Sequence, residues 1–152
     1  MFEYLMSLIG STKSIFTWMH AAHHVTKGTS FSGDHVNLFG EIYQEMIEIF
    51  DELVEKSIVL CDTENVACPL TISEISLVVL KQYESPVNLN SDQIAIIALD
   101  MVRDYSLTLT QVYYALQEQR QLSLGMDDFL ASAAGKFDKF EYLLSQRIKK
   151  GY

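Results

Sequence analysis

The residues best suited to chemistry are four histidines, and all of them, His20, His23, His24 and His35, crowd into one stretch of the chain. A neutral imidazole binds transition metals, and its charge changes near neutral pH. A second source of ligands follows at once, in Glu41, Glu45, Glu48, Asp51, Glu52 and Glu55. At about 100° per residue of α-helix, these acids fall within roughly a third of the circumference. Such a stripe is either a solvated face or a carboxylate wall for cations, and composition does not choose between them. Other chemistries have no foothold. Cys61 and Cys68 lack zinc-site spacing and cannot make a disulfide framework. There is no glycine-rich phosphate loop and no Ser-His-Asp pattern. Tyr105, Tyr113 and Tyr114 read as packing residues, and Trp18 as core or interface.

The elements that must position these groups are helices. Leu5, Leu8, Thr12, Ile15, Met19 and Ala22 recur at three- and four-residue steps, which predicts a first helix ending near Lys27, with Gly28 as its stop. It carries His20 and His24 on one face, four residues apart, placed either to chelate a metal or to sit exposed against the helix dipole. After a loop over 29–33, Ser32 or Asp34 can cap a second helix. Its inner side is Leu38, Phe39, Ile42, Tyr43, Met46, Phe50, Leu53 and Ile58. From Leu60 to Asn90 the pattern weakens, and only Ser73 to Gln82, capped by Thr71 or Ser73, reads as a short helix. A third helix runs from Ser91 to near Gly125, with Ile94, Ile97, Ala98, Met101, Tyr105, Leu109, Val112 and Leu116 inward. A fourth starts at Asp127, with Phe129, Ala133, Phe137, Phe140, Leu144 and Ile148 inward, and ends in the basic run Arg147-Ile148-Lys149-Lys150. A connection of about 30 residues, against the usual 2–8 between bundle helices, can carry the chain back along the bundle, so that helices two and three lie parallel. The expected fold is all-α: a ferritin-like four-helix bundle whose long crossover holds a short extra helix.

Composition bounds the rest. With 152 residues, 49% of them hydrophobic, the chain suits one domain over 1–152 with a real core. Only two prolines and seven glycines argue against an all-β fold. The net charge of −9, from 11 basic and 20 acidic residues, repels phosphate backbones and anionic lipid and attracts cations. Nucleic acid is therefore not an expected partner. No run of about 18 apolar residues offers a membrane span. Met1 to Ile9 lacks a basic leader and reads as mature protein, so a cytoplasmic location is expected.

A di-iron site inside one bundle needs Glu-x-x-His on each of two helices, and that motif is absent from the sequence. The run His23-His24-Val25-Thr26-Lys27-Gly28-Thr29-Ser30-Phe31-Ser32-Gly33-Asp34-His35 instead resembles the helix-to-helix segment of Dps-type mini-ferritins. In that family a His-Trp pair is followed by a valine, a glycine five residues after the histidine, a phenylalanine three further on, and a second histidine. Phe39, Tyr43, Asp51 and Glu55 are similar to the aromatic pair and the Asp-x-x-x-Glu of the family's second helix. The resemblance implies a shell of twelve subunits that binds Fe(II) between two-fold-related copies, oxidises it to Fe(III) with peroxide or oxygen, and stores the mineral. It assigns His23 and His35 as ligands from one copy and Asp51 and Glu55 as ligands from the neighbour.

Three features depart from the family pattern. The ligand aspartate expected four residues after the second histidine is Phe39, and the tryptophan after the first is His24. Counted from His35, the downstream residues also arrive one position late. In a continuous α-helix that residue is worth about 100° and separates His35 from the face of Asp51. If the extra residue lies in the 29–34 loop, Val36 and Gly40 are the in-phase positions. A helical bulge between 35 and 39 would restore the phase. Failing that, the site is rebuilt with His24, His35 or Glu45, or it is lost and the bundle serves self-assembly or partner binding.

Overall fold

The computed structural model describes residues 1–149; Lys150, the last residue of the basic run, lies outside the described residues. Every regular element described is helical. Helix α1 spans Phe2–Val25. Helix α2 begins as a π-helix over Gly33–Gly40 and continues as α-helix over Glu41–Cys61. A 3-10 turn over Glu64–Ala67 leads into the short α3, Pro69–Leu80, and the long α4 and α5 cover Ser91–Glu118 and Leu124–Ile148.

Helix directions follow from side-chain pairs. Asp34 meets Arg147 and Glu45 meets Lys136, so α2 and α5 run antiparallel. Asp92 also meets Arg147, and Arg103 meets Glu141, so α4 and α5 are antiparallel too. Helices α2 and α4 are therefore parallel, as the length of the crossover allows. The pairs His23 with His35 and Phe16 with Tyr43 set α1 against α2 in the opposite sense. The crossover helix α3 packs on α1, where Gly10 supplies the clearance: a Cβ there would lie 2.2 Å from Ile75 Cγ2.

The apolar stripes read from periodicity form one core. Leu5, Leu8, Ile15, Met19 and Ala22 of α1 are buried with Phe39, Ile42, Met46 and Leu53 of α2, Met101 and Leu116 of α4, and Phe137 and Leu144 of α5. Tyr43, Phe50, Ile58, Ile97 and Ile148 sit at its margin. One polar pair sits within the core, Thr12 with Tyr105. The Thr12 hydroxyl donates to Leu8 O at 2.7 Å, so the buried Tyr105 phenol, also 2.7 Å away, must donate to Thr12. Burial raises the Tyr105 pKa and keeps that proton in place. Trp18 is also core, its indole N–H donating to Glu84 O at 3.0 Å.

Several boundaries differ from expectation, each for a local reason. Helix α1 stops at Val25; Thr26 is extended, and Gly28 makes the turn at φ 84°, a conformation that favours glycine. Neither Ser32 nor Asp34 caps α2. Asp34 is buried instead, accepting from Arg147 Nε at 2.9 and 3.1 Å. Helix α3 starts at Pro69, ahead of Ser73, because the first turn tolerates a missing N–H. Helix α4 ends at Glu118, and Arg120, at φ 54°, turns the chain. Ser123 then caps α5, which places Gly125 inside its first turn.

Candidate metal centre

The last turns of α1 and the first of α2 bring all four histidines together. The His23 and His35 rings stack with centroids 3.8 Å apart and planes 11° apart. His23 Nδ1 lies 2.6 Å from His35 O, and His35 Nδ1 lies 2.6 Å from His23 O. A carbonyl only accepts, so each Nδ1 carries the proton and donates. With Nδ1–H committed to the backbone, Nε2 is the nitrogen left to bind a metal, the arrangement a metal-binding histidine uses. The His23 carbonyl is available because α1 ends two residues later and leaves its last carbonyls without helical partners.

The π-helix is what brings His35 to this position. A turn closed by i→i+5 bonds holds one residue more than an α-turn, so it absorbs the inserted residue that would otherwise turn the helix by about 100°. The segment is fixed on both sides. Arg147, at the end of α5, grips buried Asp34 and also donates to Asp92 at 2.8 Å and to Ser91 Oγ at 3.2 Å. Gly40 closes the other end: a Cβ there would lie 2.6 Å from His35 O and 3.3 Å from His23 Nδ1. Phe39 is fully buried in the core, so neither residue offers a carboxylate.

Aromatic rings frame the cluster. Phe31 lies 4.9 Å from His35, and Tyr43 lies 5.0 Å from His23 and 4.5 Å from His20. His24 is exposed, with its Nε2 3.2 Å from that of His20. Burial of the ring, then the neighbouring His24 and His23, lower the pKa of His20 and favour its neutral form.

The carboxylates lie elsewhere. Asp51 and Glu55 are exposed on α2, and sixteen residues at about 1.5 Å each set Asp51 roughly 24 Å along the helix from His35. Glu45 is paired with Lys136 at 2.8 Å. Among the described residues, no three His, Cys, Asp or Glu side chains of one chain converge on a metal position. The structure thus gathers His23, His24 and His35, with His20 beside them, and leaves Asp51 and Glu55 apart.

The fold of this chain is similar to that of solved structures. Dps from Staphylococcus aureus matches with a TM-score of 0.83 at 19% identity, covering 99% of this chain and 95% of that one. Dps from Thermosynechococcus elongatus matches at 0.81 and 22% identity, covering 98% and 92%. This chain has the Dps-like, ferritin-like fold. No family model and no curated protein matches the sequence. Within the Dps-like fold, Asp34, Gly40 and Arg147 are the supporting residues that the sequence reading missed. Asp34 had the pattern of a helix cap and Arg147 that of a helix-end cation. Only the register slip after His35 marked the segment they hold.

Proposed function

We propose that the protein assembles as a symmetric oligomer and binds Fe(II) where two copies meet, oxidising it and storing the ferric product in the enclosed cavity. Iron is here both substrate and cargo. The observation that carries this reading is the reciprocal clamp of His23 and His35, which commits both Nδ1 atoms to the backbone and leaves Nε2 of two adjoining imidazoles free for a metal. His24, exposed beside them, faces His20 Nε2 at 3.2 Å and is not needed for this reading. Asp51 and Glu55 are solvated in one chain and would enter from the neighbouring copy, as the resemblance implies, in a shell of twelve. Imidazole with hard carboxylate oxygen suits Fe(II), and the open positions would admit peroxide or oxygen, which takes one electron from each iron. The net charge of −9 draws cations toward such a shell. The free thiols Cys61 and Cys68 fit a reducing compartment such as the cytoplasm.

A second reading, metal binding without rapid oxidation or a purely assembling bundle, is favoured by Gly40, which stands where the family pattern has a carboxylate in phase with Asp51. Aerobic addition of Fe(II), followed by near-ultraviolet absorbance, separates the two. The proposal expects a rate well above buffer that His23→Ala abolishes. A rate equal to buffer and indifferent to His23→Ala retires the oxidation and leaves the second reading.

A further inference from the structure

We infer that His20 and His24 form a second metal site, a two-imidazole chelate for a borderline divalent cation such as Zn²⁺, distinct from the His23–His35 pair. The two residues are four apart on α1, so both side chains leave the same helix face. Their Nε2 atoms lie 3.2 Å apart and their rings are tilted by 49°. Zinc holds imidazole nitrogen at about 2.0–2.1 Å, and at a tetrahedral angle two such nitrogens are separated by about 3.3 Å. The separation of the two nitrogens therefore matches that of a chelated ion. Without the ion, one Nε2–H donates to the other nitrogen.

The pair is partly built in advance. The His20 ring is held between Phe16, at 5.6 Å, and Tyr43, at 4.5 Å, while His24 is exposed and leaves two coordination positions to water or a second copy. The Nδ1 atoms of His23 and His35 are committed to backbone carbonyls, so that pair is oriented independently of this one. Two imidazoles with no carboxylate at hand favour zinc, cobalt, nickel or copper over the hard cations magnesium and calcium. The inference does not depend on iron oxidation.

Calorimetric titration of metal-stripped protein with Zn²⁺ at pH 7.5, about a unit above the usual histidine pKa, tests it. In a His23→Ala/His35→Ala background, which removes the imidazoles of the proposed iron centre, the protein is expected to bind one ion per chain. Added to that background, His24→Ala, at an exposed position, and His20→Gln, which keeps a polar side chain of similar reach, are each expected to weaken binding at least tenfold, on the scale of losing one ligand. Circular dichroism checks that both variants remain folded. His23→Ala is expected to retain the site. Absence of Zn²⁺ binding in the His23→Ala/His35→Ala background overturns the inference and leaves a hydrogen-bonded pair. Loss in His23→Ala along with the other two overturns the separateness of the sites. Calcium competing as well as zinc contradicts the ligand chemistry.

Discussion

The two groups of ligand-bearing residues on this bundle are built in opposite ways. At the histidine end three of the four rings are held: His23 and His35 by each other's backbone and His20 against Phe16 and Tyr43, with the whole π-segment fixed by Arg147 and Gly40. Further down α2, Asp51 and Glu55 stand exposed, with no partner among the described hydrogen bonds and ion pairs. Fixing side chains costs entropy, which a fold offsets by packing where the geometry matters. The contrast teaches that one chain fixes its imidazoles in advance and leaves these carboxylates on an outward-facing surface.

The largest effect expected is at the anchor of the prepared half. Arg147→Met strands the buried Asp34 carboxylate without its cation and should cost about 3–5 kcal/mol of unfolding free energy in denaturant titrations. The double substitution Asp51→Asn with Glu55→Gln should cost no more than about 0.5 kcal/mol, because both side chains are exposed and no described hydrogen bond or ion pair uses them. A similar cost for both would erase the contrast. An intermediate effect is expected at Gly40→Ala, whose methyl meets the His35 carbonyl and should cost about 1–3 kcal/mol. The same change should separate the His23 and His35 rings, read as altered imidazole resonances in NMR. Unchanged resonances would show that the π-segment is not held from this side.

Much of this architecture was legible in the sequence, because helical burial leaves a period. Every inward position of α1, from Leu5 to Ala22, is buried, and the long crossover correctly implied parallel α2 and α4. Boundaries were less legible. Pro69 and Gly125 act as breakers in most contexts, yet the first helical turn accommodates both here. At the candidate site, clustering of the histidines could be read directly. Their mutual clamp could not, because it runs through backbone carbonyls that carry no sequence signal. The one-residue slip was visible, but whether it sat in the loop or in a widened turn depended on tertiary support. That support comes from Asp34 and Arg147, 113 residues apart.

If imidazoles of one copy act with acids of another, two inactive variants should repair each other. His23→Ala/His35→Ala chains and Asp51→Asn/Glu55→Gln chains, each unable to oxidise Fe(II) alone, are co-assembled in equal amounts and assayed aerobically. In an interface between unlike copies, one of the two sites receives intact histidines and intact acids. Half of randomly formed two-fold interfaces are of that kind, so the mixture should recover roughly a quarter of the wild-type rate. A mixed assembly as inactive as its parents would contradict the shared centre.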